Sequence, residues 1–527
     1  MRPSVALSTV VLAVVVAHDV SGVSGLHISI HGHTRGYLAS NPFHGVAKRA
    51  HISGLKNEDD VQYTTNITLN NKEFSALIDT GSSDLWVAGT VPSAQDTGTT
   101  SSVTYAVGNA EGPVKTASLN FAGYTVPDQA FLQVTPSKQN PENQGVIGLG
   151  PNSGSSIHSS LKGDSSGDTV IDRIFRQNTS TPNFISVLLG RSDDPDDRYP
   201  GDITVGEVLS GYDAISAQPH LPVTLLSGFN AGNQHWQVLL DEDGIIGPDG
   251  QPVNFTTGNK KQATAIFDTG FSFPQVPRAV ANAFYARLEG AKFDSDAGYW
   301  SLPCDVEANI TFKLGGQAYP IHPLDSNYVD HTENGKDFCA GAFQPAIASA
   351  QSDEFDIILG MAFLRNAYLL INYGDFVDGT TTTADPYVQL LSTTNDTSEA
   401  HRDFVQVRLN GVDTTGNQKL GPPSLVDNST STSTSNTSTN SDRNDAENFF
   451  ERHRLPIIIA ASVGGGLLLL LILSAAICGG RRRRYGQVYV QQGPYRSLGA
   501  AAPIGETAHV AGYNAGTPYS NPWDHRY

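Results

Sequence analysis

The sequence predicts a mainly β protein built as two lobes, and three observations carry that prediction. Residues 58–376 break into short alternating apolar and polar runs separated by Gly, Pro, Asn and Asp, the pattern of half-buried strands joined by turns. Helical periodicity is scarce in the same region. One phrase occurs twice, as Ala76-Leu77-Ile78-Asp79-Thr80-Gly81-Ser82 and as Ala265-Ile266-Phe267-Asp268-Thr269-Gly270-Phe271. In each copy an apolar strand delivers a carboxylate into a tight turn that glycine permits. Asp, Thr and Gly are ordinary turn residues, so a single copy would signify little. Each copy, however, is echoed downstream by an apolar-apolar-Gly element, Val146-Ile147-Gly148 and Ile358-Leu359-Gly360. Two matching units imply two halves that bring two aspartates together.

Composition narrows the setting. A chain of 527 residues has room for about three to four domain-sized pieces. Charged residues make up 16% and hydrophobic residues 39%, both below globular averages, and Gly, Ser and Thr take up the difference. That balance suits a β-rich, glycosylated, extracytoplasmic protein. The formal charge of −19 argues against nucleic acid, whose phosphates need Lys and Arg, and fits a protein working at low pH, where neutralised carboxylates repel less. Of three cysteines, Cys304 and Cys339 lie in the soluble part and Cys478 ends an apolar run. In a secreted setting the pair reads as one disulfide, the alternative being two free buried thiols.

Taken in order, residues 1–25 have an early arginine, a short apolar core and small residues near 22–25, the form of a secretory signal peptide. Residues 26–49 carry four histidines and end in Lys48-Arg49. They read as a propeptide ending in a processing site, the alternative being a solvated basic pair. The body divides into an N-terminal lobe, 50–190, and a C-terminal lobe, 191–391, separated near an acidic run at 192–197 that resists burial. Two helices are expected to pack on its sheets. One covers 169–177; the other covers 278–288, behind Pro277 in a helix-starting position.

Residues 392–454 shift to Ser, Thr and Asn and read as an O-glycosylated stalk that cannot bury enough apolar area to fold. Sequons stand at Asn66, Asn178, Asn254, Asn309, Asn395, Asn428 and Asn436, and none follows residue 455. Residues 455–478 are apolar and long enough to cross a bilayer, and Arg481 to Arg484 follow at once. By the positive-inside rule this gives one C-terminal transmembrane helix, a luminal or extracellular body, and a cytoplasmic tail at 479–527. The tail is rich in Gly, Pro, Tyr and Gln and reads as disordered. The expected location is the secretory pathway, ending at the cell surface, cell wall or vacuole.

Two carboxylates held close cannot both ionise comfortably, so they share a proton and titrate as a pair. A water between them can lose a proton to the ionised partner while the protonated one donates to a carbonyl oxygen. Water then attacks an amide directly, with no covalent intermediate, metal or cofactor. Gly81 and Gly270 would let backbone approach closely, and Thr80 and Thr269 could tie the two loops together through their hydroxyls.

The sequence resembles the pepsin-like aspartic endopeptidases, most closely the fungal secreted and surface-anchored members. The resemblance spans about residues 61–373. It rests on Asp-Thr-Gly-Ser-Ser-Asp-Leu-Trp at 79–86, His-Trp-Gln-Val-Leu-Leu-Asp at 235–241, Asp268-Thr269-Gly270, and Ile-Leu-Gly-Met-Ala-Phe-Leu-Arg at 358–365. It implies a bilobal double-β-barrel fold with a long cleft and Asp79 and Asp268 as the catalytic dyad on its floor. Tyr105, on a flap hairpin, would meet the indole of Trp86. A disulfide between Cys304 and Cys339 follows from their place in the pattern. The implied substrate is a polypeptide bound in extended form, and the implied state is a monomer.

Three features depart from the pattern. Phe271 stands where the family has Thr or Ser, whose hydroxyl supports the second aspartate. Ala106 replaces a flap glycine. The N-terminal lobe lacks its usual disulfide. The leading expectation is a membrane-tethered, acid-active endopeptidase. The alternative is a catalytically weak or inactive pepsin-fold binding glycoprotein, for which Phe271 and Ala106 are the support. An adhesive wall glycoprotein would use the stalk, but a stalk serves an anchored enzyme equally well.

Overall fold

The computed structural model describes residues 52–426, apart from 107, 179, 196–197, 259–261, 334, 348–349 and 375–384. The signal peptide, the propeptide with Lys48 and Arg49, the apolar segment 455–478 and the tail therefore lie outside the described residues. Among the described residues no helix is long and apolar enough to cross a membrane.

The chain is mainly β. The N-terminal lobe is an eight-stranded sheet whose neighbours run Lys56–Glu58, Gln62–Leu69, Lys72–Asp79, Gln144–Gly148, Leu85–Ala88, Tyr124–Val134, Asn109–Phe121 and Gln95–Thr104. In the strand Lys72–Asp79 the exposed and buried positions alternate at first and then give way to an unbroken buried run. That is the expected signature of a strand entering a sheet covered on both faces. The C-terminal lobe centres on a five-stranded sheet of Gln237–Leu239, Thr264–Phe267, Ile357–Leu359, Gln275–Val276 and Gln344–Pro345, with three- and four-stranded sheets beside it.

The two lobes repeat one local arrangement. Lys72–Asp79 runs parallel to Gln144–Gly148, which is antiparallel to Leu85–Ala88. In the other lobe Thr264–Phe267 runs parallel to Ile357–Leu359, which is antiparallel to Gln275–Val276. The apolar-apolar-Gly echoes are thus the partner strands of the two Asp-Thr-Gly strands.

A six-stranded sheet joins the halves. It takes Ile52–Gly54, Phe184–Leu189 and Gly201–Val205 from one side of the sequence and Leu221–Pro222, Ala367–Asn372 and Tyr387–Ser392 from the other. Its presence blurs the expected boundary at residue 191. The acidic run there is only partly solvated: Arg191 is buried and Asp193 and Asp194 are half-buried. The reason is Asp325, a buried carboxylate that accepts from Arg191 Nη2, from Arg365 Nε at 2.5 Å and from Asn366 Nδ2 at 2.9 Å. Arg365 also donates to the backbone oxygen of Asp60 at 2.7 Å. One buried charge therefore ties the N-terminal strands, the connection between lobes and the C-terminal lobe.

Both anticipated helices form. Val170–Gln177 buries Val170, Ile171, Ile174 and Phe175. Arg278–Tyr285 buries Val280, Ala281, Phe284 and Tyr285 and stops short of the expected residue 288. Arg287 is drawn instead toward the C-terminal chain, donating to the oxygen of Gly421 at 2.7 Å.

The expected start of the stalk at 392 requires correction. The strand Tyr387–Ser392 leads into a further helix, Thr397–Arg408, so the folded body continues to residue 426. Asp396 caps this helix by accepting from the amides of Ser398 and Glu399, a favourable anion at an N-terminus. Ala400 and Phe404, spaced i, i+4, are buried against the C-terminal lobe. His401 bridges Glu307 at 3.1 Å and Asp413 at 3.3 Å, His322 meets Asp403 at 3.4 Å, and Arg408 reaches Asp193 at 3.7 Å. The two apolar residues were masked by their polar neighbours in the sequence.

Cys304 and Cys339 form the disulfide, closing a separation of 35 residues; this stabilises by roughly 3–4 kcal/mol on the chain-entropy estimate. Among the sequon asparagines, Asn66, Asn254 and Asn395 are exposed and Asn178 is half-buried. Asn309 is buried, with its Oδ1 unpartnered, and as placed offers little surface for a glycan. Asn428 and Asn436 lie outside the described residues.

Burial alone would raise the Asp325 carboxyl, but Arg191 and then Arg365 outweigh it and hold the group well below the usual carboxylate range. Its contribution is therefore present above the unfolded carboxylate value and lost only as pH falls through the depressed folded value. Asp325→Asn is expected to cost about 3–5 kcal/mol, the loss typical of breaking a buried pair. Denaturant unfolding at pH 7 and pH 4 should show nearly the same cost at both.

Candidate active site

Asp79 is the last residue of its strand, and Asp268 immediately follows the strand Thr264–Phe267. Both are fully buried. Each is held from behind by its echo element. The amide of Leu149 donates to the Asp79 oxygen at 2.8 Å, and the Asp268 amide donates to the Leu359 oxygen at 3.1 Å.

The two loops grip each other. The Thr80 amide donates to Thr269 Oγ1 and the Thr269 amide to Thr80 Oγ1, both at 3.0 Å. Each hydroxyl passes its own proton across the interface, Thr80 to the oxygen of Phe267 and Thr269 to the oxygen of Ile78, both at 2.8 Å. All four groups are buried, where an unmade hydrogen bond is costly. This exchange sets the aspartates opposite one another. The approach is so close that a Cβ added at Gly81 would overlap the Asp268 carboxylate; only glycine fits there.

The two carboxylates are not equivalent. Asp79 accepts from the Gly81 amide at 2.9 Å through Oδ1 and from the Ser82 hydroxyl through Oδ2. Asp268 accepts from the Gly270 amide at 2.7 Å through Oδ1 and from the Phe271 amide, and its carboxyl meets that of Asp79 directly, with no side-chain hydroxyl donor. The residue at the position of Ser82 in this half is Phe271. Burial pushes both carboxyls above the usual range. For Asp79 the Ser82 and Gly81 donors oppose that push, whereas for Asp268 the charge of Asp79 adds to it. A shared proton is therefore held preferentially by Asp268.

Above the pair, strands Gln95–Thr104 and Asn109–Phe121 form a hairpin. At its tip the Tyr105 amide donates to the Gly108 oxygen at 3.1 Å, and Gly108 adopts a φ of +82°. Trp86 Nε1 donates to the Tyr105 hydroxyl at 2.5 Å. The structure thus brings Asp79, Thr80, Gly81, Trp86, Tyr105, Asp268, Thr269 and Gly270 to one place.

Two further residues belong to this site, although both stood unassigned within quoted motifs. Asp84 is buried and accepts from Ser155 Oγ at 2.6 Å and from the amides of Ser156 and Ile157 at 2.9 and 3.0 Å. A carboxylate directly before the apolar run Leu85-Trp86-Val87 was the available signal. His235, also buried, hydrogen-bonds the Gly81 backbone and meets Phe355 edge-on at 5.7 Å. Burial pushes its imidazole down to about 4, so it is neutral above that pH. Among the described residues no group of three or more His, Cys, Asp or Glu side chains is arranged to hold a metal ion.

Comparison with known proteins bears on the family. The sequence profile of the family described as "Eukaryotic aspartyl protease" matches residues 89–377, more than half of the chain. The chain is 28% identical over 350 residues to "Major aspartyl peptidase 1" of Cryptococcus neoformans var. grubii, covering 60% of this chain and 67% of that protein. It is 27% identical over 348 residues to "Cathepsin E" of Mus musculus, covering 61% and 80%. Against the crystal structure of an aspartic proteinase from Irpex lacteus the TM-score is 0.49 at 19% identity, covering 66% of this chain and 99% of that one. The protein belongs to the eukaryotic aspartyl protease family, the aspartic endopeptidases.

Replacing Thr269 by valine would strand the Thr80 amide and the Ile78 carbonyl in the interior. At roughly 1–3 kcal/mol for each buried group left unsatisfied, Thr269→Val should lower stability by about 2–6 kcal/mol. Equilibrium unfolding of the variant beside the wild type would measure it.

Proposed function

We propose that Asp79 and Asp268 are the catalytic pair of this endopeptidase and that it cleaves extended polypeptides under acidic conditions. The observation that carries the proposal is the opposition of two buried carboxylates, one rich in donors and one poor, beneath a hairpin that carries Tyr105. In the working state Asp79 is ionised and Asp268 is protonated. A water between them gives a proton to Asp79 as its oxygen attacks the scissile carbonyl carbon, while Asp268 donates its proton to the carbonyl oxygen. Collapse of the tetrahedral diol breaks the C–N bond: one diol hydroxyl returns its proton to Asp268 as the new carbonyl forms, and the proton taken by Asp79 passes to the leaving amine. No atom of the enzyme is bonded to substrate. The Gly81 amide and Ser82 hydroxyl stabilise Asp79 as the ionised partner. Tyr105, fixed by Trp86, closes the site over the peptide, and the neutral His235 braces the Gly81 loop.

The remaining expectations complete the reading. Residues 1–25 direct the chain into the secretory pathway, 26–49 form a propeptide released after Lys48-Arg49, and sequons on exposed asparagines carry glycans. The folded body extends beyond residue 391. A Ser/Thr-rich spacer then leads to a single membrane span at 455–478, with Arg481 to Arg484 on the cytoplasmic side and the tail beyond. The enzyme works as a monomer and needs no cofactor. The alternative of a weakly active binding glycoprotein draws on Phe271, whereas the intact pair and its ordered loops weigh against it.

The test is peptide hydrolysis from pH 2 to 7 by the processed protein, with and without pepstatin, a statine-type inhibitor. Hydrolysis that pepstatin abolishes is expected, and Asp79→Asn or Asp268→Asn should each lower kcat/KM by at least about a thousandfold, the scale associated with losing an essential proton-transfer group. A folded, processed protein that cleaves nothing would favour the binding glycoprotein. A membrane-fractionation assay of the full chain against one ending at residue 454 tests the anchor: only the full chain should remain with membranes after a high-salt wash.

A further inference from the structure

The chain contains its own internal control for the dyad. Three residues after Asp79 stands Ser82, whose hydroxyl donates to Asp79 Oδ2. Three residues after Asp268 stands Phe271, which has no hydroxyl to give, so that Asp268 is met only by the Gly270 and Phe271 amides and by the Asp79 carboxyl. The two loops are otherwise matched, down to the glycine amide on each Oδ1 and the exchanged threonines. The missing donor is thus a local difference.

Phe271 also has a place to be. It is fully buried in a small apolar cluster with Ile266, Ala350 and Ile358, all from the C-terminal lobe. Packed against that cluster are Ile347, Phe355 and one residue from the opposite side of the cleft, Ala106 at the tip of the hairpin. The two departures from the family pattern therefore meet in one cluster. The hairpin tip, in the N-terminal lobe, is seated on apolar side chains beside Asp268.

We propose that Phe271 is a positioning residue for the dyad: it withholds from Asp268 the hydroxyl that Ser82 gives Asp79, and its cluster seats the hairpin tip as a dry lid, so that the pair keeps its shared proton to higher pH. The proposal rests on the reading of Asp79 and Asp268 as the catalytic pair. The titratable group opposite Asp268 is Asp79. Asp84, Tyr105 and His235 sit on the Asp79 side, with Asp84 held by Ser155 and two amides, Tyr105 by Trp86, and His235 by the Gly81 backbone. A donor to ionised Asp268 lowers its proton affinity, and a dry apolar lid raises it. Activity requires one proton on the pair and is lost as pH rises through the loss of that proton. Phe271 therefore moves the alkaline limit of activity upward.

The experiment measures the pH profile of kcat/KM for a peptide substrate with the full-length enzyme and with Phe271→Thr, Phe271→Ser and Phe271→Leu. Hydrogen exchange of the hairpin tip, residues 104–109, is followed in the same proteins. Threonine and serine restore a donor at the position where Ser82 serves Asp79 and remove the ring; leucine keeps an apolar seat without a donor. The alkaline limb is expected to move down by roughly one pH unit in the threonine and serine variants, the scale of one hydrogen bond to a carboxylate, and to stay in place in the leucine variant. Exchange at the tip should quicken in the serine variant and remain near wild type in the leucine variant. Folded threonine and serine variants with an unmoved limb would overturn the proposal, as would a leucine variant shifted as far as they are, or a tip whose exchange ignores Phe271→Ser. Wild-type enzyme that cleaves no peptide at any pH would overturn the dyad reading along with it, an outcome distinct from an active enzyme with an unmoved limb.

Discussion

The structure depends on the reciprocal exchange between Thr80 and Thr269. Four buried hydrogen bonds join two loops more than a hundred and eighty positions apart, and every other feature of the site assumes them. They set the distance at which two acids meet, and that distance forbids any side chain at Gly81. They also couple the lobes at the point of greatest electrostatic stress, where two carboxyls lie in an interior with little water to screen them. A second lock, centred on Asp325, performs the same service at a distance with ions instead of hydroxyls. The first is neutral and indifferent to acid. The second is ionic, but its carboxylate is stabilised by two guanidinium groups, so it too persists well below the usual carboxylate range.

Much of this was legible in the sequence because the decisive residues are local. Asp79 and Asp268 announce themselves by following apolar strands, and their echo elements announce the partner strands. The contact of Trp86 with Tyr105 was legible only through the resemblance, since nothing in the spacing of a lone tyrosine fixes a contact, whereas the bond between Cys304 and Cys339 was already suggested by an even pair in a secreted setting. What escaped was either long-range or diluted. The six-stranded sheet draws strands from both halves, so no composition boundary at residue 191 could mark it. The helix Thr397–Arg408 carries two buried apolar side chains among polar ones, and a window averaged over its surroundings reads as stalk. Asn309 satisfies a sequon by its neighbours yet is buried by residues remote in sequence. Asp84 was in plain view in its motif, but its role as the acceptor for a helix start seventy positions away is a property of the fold.

The asymmetry of the dyad shows how a pseudo-symmetric fold distributes chemistry. Two near-identical strand-and-loop units supply equal geometry, and a single side chain in each loop then decides which acid holds the proton. Burial acts on both carboxyls in the same direction, so it cannot separate them. Hydrogen-bond donors can: a hydroxyl donor is present on the Asp79 side and absent on the Asp268 side. Phe271 and Ala106 also show why two substitutions that look like defects one at a time need to be read together, since the space left by one is met by the other across the cleft.

The helix that follows the last strand of the joining sheet has a mechanical meaning. Any pull exerted on the chain beyond residue 426 enters the body through Thr397–Arg408 before it can reach Tyr387–Ser392. That helix is fastened along its length: His401 to Glu307, Asp403 to His322, Arg408 to the connection between the lobes. Load arriving from downstream is thereby shared among several lateral contacts and led into the outer face of the C-terminal lobe. The strands that hold the two aspartates lie off that path, and their register is insulated from such a pull.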